Sequence, residues 1–301
     1  MPETPHSEFI LSDARDDWWN HDFLALMASR LGIARARKIL DVGAGHGHWG
    51  QLWAPYLADE AAVVGVDAEP RWVEAATKRA VDLGLAPRFS YVLGRAEALP
   101  AADASFDMVT CQTLLMHVGD PAKVIAEMKR VLAPGGLLLL SEPNNIANLL
   151  LLDSTQQGLG VAQIVALLRF HLTCNEGRKQ LGEGDYAIGD RLPQLLADAG
   201  VLDVRVHMND HTAPIFRGPN NHPRHWAALE QKAANIEAGA WLWARDAAAR
   251  LYVAGGGAMS QFGKDYEVFM NGAHEFVRSI HALNYSATGG AQHYLISGRI
   301  N

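Results

Sequence analysis

Five short apolar runs recur between residues 38 and 142: "KILDV" (38–42), "AVVGVD" (62–67), "RFSYVLG" (88–94), "FDMVTC" (106–111) and "GLLLLSE" (136–142). Helical patterning fills most of the intervals. Pro70 opens a segment that Gly84 stops, and Asp120-Pro121 opens another that ends before Pro134. Strands separated by helices cannot pair as hairpins. They pair in parallel through crossovers, which predicts a sheet wrapped by helices on both faces.

The first run leads into Gly43, Gly45, Gly47 and Gly50 within "KILDVGAGHGHWG". A strand, a glycine turn and a helix start together present bare backbone N–H groups to a ligand. The dinucleotide fingerprint G-x-G-x-x-G fits this stretch poorly. Counted from Gly43, its third glycine falls on His48; counted from Gly45 it fits, but begins two residues past the strand.

Past Glu142 the rhythm changes. Residues 144–188 read as helices with glycine breaks. A helix at 190–199 follows, with Asp190 as its N-cap and Gly200 as its stop. "VLDVRVHM" alternates as a sixth strand, and "QHYLISGRI" closes the chain as a seventh. Residues 224–254 and 264–284 read as helices. In the first, Trp226, Leu229, Ala233, Ile236, Ala240, Trp243 and Ala247 form a stripe that packs on another helix, in the same chain or in a homodimer through 224–284. An N-terminal helix at 16–31 places Trp19, Phe23, Met27 and Leu31 on one face. The expected organisation is a core of 38–143, 190–210 and 290–300 with two helical cap insertions, 144–188 and 212–288, leaving from the strand ends where such sheets bind ligands.

Composition narrows the function. The formal net charge of −7 and the lack of a Lys/Arg run disfavour nucleic acid and anionic membrane as partners. No apolar run approaches the roughly 18 residues of a membrane span. Two cysteines, Cys111 and Cys174, and no signal peptide suit a cytoplasmic protein.

Asp41 inside the first strand, Asp67 closing the second, "GRAEALP" after the third, "SFDMVTCQTLLMHVGDP" around the fourth and "EMKRVLAPGGLLLLSEP" into the fifth occur in a telling order. With them the sequence resembles the S-adenosylmethionine-dependent methyltransferases with a Rossmann-like core. The resemblance implies a doubly wound, mostly parallel seven-stranded α/β sheet whose last strand is antiparallel. It implies S-adenosyl-L-methionine as cofactor and methyl transfer to an oxygen or nitrogen, with carbon also open, of a small-molecule acceptor. It further implies that Asp41 and the backbone of Gly43, Ala44, Gly45 and Gly47 handle the cofactor's amino-acid end, that Asp67 with Ala68 holds the ribose, that Arg95, Ala96 and Glu97 lie against adenine, and that Cys111 and Gln112 line the sulfonium end. Arg95 departs from the pattern, since many relatives have an aspartate there that accepts from the adenine amino group.

The catalytic candidates are His117, a proton acceptor after the fourth strand, and Tyr186, displayed with Asp185 in the loop "GEGDYAIGD". Gly177, Gly182, Gly184 and Gly189 are the hinges expected there. His171 reads as a core histidine, and Trp18 and Trp19 as core more than cofactor clamp. His207, Asp210 and His211 lack a fixed ligand geometry, so no metal is expected; His222 and His225 read as loop. The rival classes are a nicotinamide oxidoreductase, a noncatalytic cofactor-binding or regulatory module, and an RNA or protein methyltransferase.

Overall fold

The computed structural model describes residues 13–212, 214–216, 223–239 and 243–301. The strands are β1 (Lys38–Val42), β2 (Ala62–Asp67), β3 (Phe89–Leu93), β4 (Phe106–Gln112), β5 (Leu132–Pro143), β6 (Leu202–Met208) and β7 (His293–Arg299). They form one seven-stranded sheet in the order β3-β2-β1-β4-β5-β7-β6. Strands β1 to β5 pair in parallel, and β7 runs antiparallel to both β5 and β6. This is the doubly wound sheet expected from the sequence. The helices are α1 (His21–Leu31), α2 (His48–Leu52), α3 (Pro70–Asp82), α4 (Pro121–Val131), α5 (Val161–Gln180), α6 (Leu192–Asp198), α7 (Pro223–Glu237), α8 (Arg245–Ala254) and α9 (Met259–His281). Among the described residues, no helix is long and apolar enough to cross a membrane.

The chain divides into two compact units. The sheet unit comprises Trp19–Asn144, Ala187–Asp210 and Gln292–Asn301. Its central strands are buried on both faces, with Ile39, Leu40, Met108, Val109 and Leu137 to Leu140 all inaccessible, which is why they read as apolar runs without alternation. The edge strand β6 is largely exposed, so Leu202, Val206 and Met208 face solvent despite their alternation. Gly32 ends α1 in the left-handed region, and the Asp120 carboxylate caps α4 by accepting from the Lys123 amide at 3.0 Å.

The helical unit holds the described residues up to Trp18 together with Asn145–Tyr186 and His211–Ala291. One cluster gathers Phe170, Cys174, Leu251, Tyr252, Phe262 and Phe269 from α5, α8 and α9. Within it the buried Asp265 carboxylate accepts from Arg169 at 2.8 Å, Tyr252 at 2.7 Å and Gln261 at 2.9 Å. A second cluster packs Trp226, Ala233 and Ile236 of α7 on Ala273, Phe276, Val277 and Ile280 of α9.

Several local expectations are corrected. The segment expected as one helix over 16–31 is a 3-10 turn, Asp13–Trp18, followed by α1, because Asn20 adopts extended backbone at the N-cap. The helix expected up to about Leu57 stops at Leu52, and Pro55 lies in a following 3-10 turn. Asp190 does not cap α6. The chain enters that helix through a 3-10 turn with Pro193 in its first turn, and the Asp190 carboxylate accepts from the Asn144 carboxamide at 2.6 Å. The helix expected over 224–254 is two helices, α7 and α8, with Ala240 outside the described residues. The Trp226, Ala233 and Ile236 part of the stripe finds its partner in α9 of the same chain, while Trp243 packs on the other cluster.

Candidate cofactor site at the sheet edge

The site grows from the carboxyl ends of β1, β2 and β4. The chain leaves β1 in a tight turn in which the amides of Gly43 and Ala44 both donate to the Val66 carbonyl, at 2.8 and 3.0 Å. Gly43, Gly45 and Gly47 all adopt left-handed backbone. At Gly47 a side chain would also collide with Gln51 and the Tyr91 hydroxyl, each 2.6 Å from where its Cβ would stand. The glycine cluster is thus required by backbone geometry and by close approach together. Beneath it, Gln51 donates to the Tyr91 hydroxyl at 2.7 Å and bonds Arg79, so the turn rests on a polar network.

Asp67 anchors the same turn from β2. One carboxylate oxygen accepts the Gly45 amide at 2.9 Å and the other the Glu69 amide at 3.0 Å. Asp67 remains half-buried and Ala68 exposed. Asp41 is buried in β1 and accepts the Gly50 amide at 3.0 Å through Oδ2, while its Oδ1 has no partner in the protein. Burial pushes this carboxyl up to about 7, and the charge of Asp67 adds to the effect. Gln112 at the end of β4 is buried with its Nε2 unpartnered.

A second buried carboxylate, Glu142 at the end of β5, carries weight that no sequence motif assigned to it. Its oxygens accept three successive amides, Leu114 at 2.8 Å, Leu115 at 2.7 Å and Met116 at 3.3 Å. These belong to the 3-10 turn Leu115–His117, entered through Thr113 in the left-handed region. Burial pushes Glu142 up to about 7 despite those bonds. The signal was present: "GLLLLSE" closes an apolar strand on an acid, as "KILDV" carries Asp41.

The remaining candidates fall as follows. Cys111 is fully buried on the strand face opposite Gln112, with Sγ 3.9 Å from Glu142. Burial first, then the neighbouring carboxylates, push its thiol well up, so it stays protonated. Arg95 extends into solvent and pairs with Glu97 at 3.3 Å, and Ala96 between them is half-buried. His117 ends its turn half-buried.

Asp185 and Tyr186 are not displayed. They are buried against α5, where Asn175 donates to Asp185 at 3.0 Å and accepts the Tyr186 amide at 2.8 Å. Arg178 lies 4.2 Å over the Tyr186 ring, and burial raises the phenol's pKa. Gly177 lies inside α5 and Gly189 in the 3-10 turn Ile188–Asp190, both at points of close packing. A methyl at Gly177 would sit 1.8 Å from the Leu251 carbonyl, and one at Gly189 2.8 Å from the Pro143 carbonyl. His171 packs among the rings of Phe170, Trp243 and Phe269 and is pushed down to about 4 by burial, hence neutral. His222 lies outside the described residues, and His225 faces Asp17 at 3.8 Å. No His, Cys, Asp and Glu grouping among the described residues has the form of a metal site.

An unpaired buried acceptor, an unpaired buried donor and an open glycine turn fit a ligand carrying ammonium, carboxylate and ribose groups. Fold and site define a class I S-adenosylmethionine-dependent methyltransferase. The family model described as a methyltransferase domain matches residues 33–200, more than half of the chain, and the protein belongs to that family. A Bacillus subtilis protein named as an uncharacterized methyltransferase, YcgJ, is 36% identical over 39% of this chain and 45% of its own length. The ubiquinone/menaquinone biosynthesis C-methyltransferase UbiE of Psychromonas ingrahamii is 34% identical over 37% of this chain and 44% of its own. The match thus spans less than half of each of these relatives. The solved structure of YcgJ shares the fold, with a TM-score of 0.51 at 19% identity over 94% of this chain and 99% of that one.

Proposed function

We propose that this methyltransferase acts on a small-molecule acceptor at oxygen or nitrogen, with His117 receiving the acceptor's proton. The carrying observation is the rigid presentation of the 113–117 turn by Glu142 at the carboxyl end of β4. When bound, S-adenosylmethionine supplies a methyl carbon activated by its sulfonium. Asp41 and the Gly43–Gly47 backbone would hold its amino-acid end, Gln112 would line its sulfonium end, and Asp67 would take its ribose hydroxyls. The Gly94–Glu97 loop would flank the adenine, with Ala96 the contact of choice because Arg95 already pairs with Glu97. The chain's own work is alignment, exclusion of water and removal of one proton.

The net charge of −7 supports a small molecule over RNA. Carbon is the second reading, supported by the C-methyltransferase named among the relatives. Tyr186 is left out of this reading, because its ring is buried beneath Arg178. The test is transfer of labelled methyl from S-adenosylmethionine to a panel of phenols, amines and quinols. His117→Ala is expected to lower turnover while leaving cofactor affinity within about twofold. Cofactor binding without transfer to any acceptor class would favour a regulatory module.

A further inference from the structure

Asp41 Oδ1, Gln112 Nε2 and Trp19 Nε1 belong to side chains of the sheet unit that are at least nine-tenths buried, and none of these atoms has a partner. Buried polar groups are almost always paired, so three in one place call for an explanation. The sheet register places them together. Asp41 pairs with Thr110 across β1 and β4, and Gln112 pairs with Ser141 across β4 and β5. Registered neighbours, and residues two apart along a strand, share one face. On that face Trp49 Nε1 donates to Thr110 Oγ1 at 2.6 Å. The Trp49 ring lies 5.3 Å from that of Trp19, and the Trp19 ring lies 5.5 Å from that of His293. His293 closes the ring of contacts through Nε2, 2.7 Å from Ser141 Oγ. Trp49 is satisfied within this circuit; Trp19 is not.

The unpaired set is one carboxylate oxygen and two N–H donors. That is the complement of an α-amino acid, whose ammonium needs an acceptor and whose carboxylate needs donors. The family reading accounts for Asp41 beside the ammonium and sets Gln112 at the sulfonium end, but it gives neither N–H donor a partner. We propose that Trp19 and Gln112 bind the α-carboxylate of the cofactor's methionyl end, with the Trp19 indole N–H donating to it from outside the sheet. This assignment rests on S-adenosylmethionine as the cofactor. It makes a residue just before α1 a determinant of cofactor choice and gives His293 and Ser141 a role in fixing the indole's position. A further unpaired indole, Trp53, packs edge-on against Trp49 at 5.2 Å and near Tyr56, and belongs to no bond of the circuit. It serves as a control of the same chemical kind.

The experiment is calorimetric binding of two ligands to the intact chain: S-adenosylhomocysteine, and its decarboxylated amine, which keeps the ammonium and lacks the carboxylate. The wild type is expected to prefer the first. Trp19→Phe should shrink that preference about tenfold, as loss of one charge-assisted hydrogen bond does, while changing affinity for the amine by less than about twofold. Gln112→Leu should act in the same direction, and Trp53→Phe should leave the preference unchanged. Gln112→Leu stands in for Trp19→Phe if circular dichroism shows the latter unfolded. Equal weakening of both ligands by Trp19→Phe, or an intact preference in both variants, would overturn the assignment and leave Trp19 as packing alone. Failure of wild type to bind S-adenosylhomocysteine at all would instead sink the cofactor reading beneath it.

Discussion

The carboxylate of Glu142 accepts the amide of Leu115 at 2.7 Å, so an acid at the end of β5 holds the turn that follows β4. The same carboxylate takes Leu114 and Met116. A turn entered through a left-handed threonine at φ 50° is strained, and three bonds to one buried group keep it in place. Replacing Glu142 with Gln puts an NH2 where one of these amides now donates. Turnover should fall by roughly tenfold or more, and affinity for S-adenosylhomocysteine should hold within about twofold. Hydrogen exchange of residues 113–117 should accelerate in parallel. Unchanged exchange in Glu142→Gln would refute the anchoring role.

Asp67 has a double occupation, bonding the Gly45 and Glu69 amides while remaining half-buried at the end of β2. Asn in its place keeps the shape and one acceptor. The ribose hydroxyls then lose one of two carboxylate acceptors, and binding of S-adenosylhomocysteine should weaken by about 1–3 kcal/mol. Calorimetry measures this directly, and an affinity equal to wild type would remove Asp67 from the ribose contact.

Close packing in the helical unit leads to a stability prediction. Gly177 of α5 faces the Leu251 carbonyl, and Gly255 after α8 faces the Thr173 carbonyl, which would lie 1.9 Å from a methyl added there. Helices crossing this closely have no room for even one methyl group. Gly177→Ala should cost about 1–3 kcal/mol or more through overpacking, although alanine is the better helix former. Thermal unfolding followed by circular dichroism would show a lower midpoint. A midpoint raised by the substitution would mean that the crossing is loose.

The sheet was legible because its central strands are buried on both faces and therefore read as unbroken apolar runs between helix signals. The glycine turn after β1 was legible because glycine at Gly43, Gly45 and Gly47 is demanded by backbone geometry, which leaves its mark on sequence. At Glu142 the sequence marks an acid closing an apolar strand, but nothing in a single sequence says which distant amides that acid will meet. Asp185 and Tyr186 misled for a related reason. Glycines around a polar pair suggest an exposed loop, but Asn175, ten residues upstream of Asp185, turns both inward. The α7 stripe was legible as a packing surface, while its partner α9 lies too far along the chain for periodicity to name.

Asp41 carries the last prediction, a dependence on pH. Folding raises its carboxyl from 3.8 to about 7, chiefly by burial. Below 3.8 both folded and unfolded chains hold the proton, and no penalty arises. Between about 4 and 7 the unfolded chain ionises while the folded one does not, so this group's contribution to stability falls as pH rises, and above about 7 it is constant. The slope is about 1.4 kcal/mol per pH unit for one proton. Glu142, raised from 4.5 to about 7, has the same sign, whereas His171, lowered from 6.5 to about 4, has the opposite sign across 4–6.5. The Asp41 share is isolated by comparison with Asp41→Asn. The variant's midpoint relative to wild type should climb from pH 4 to 7 and then level off. An ammonium group beside Asp41 reverses the burial effect and favours ionisation. Binding of S-adenosylhomocysteine should therefore release a proton near pH 6.5 and tighten as pH rises toward 7, and Asp41→Asn should flatten both trends. Titrations in two buffers of different ionisation enthalpy measure the proton directly. A midpoint difference that ignores pH, together with no proton release, would show that Asp41 is already ionised in the folded protein.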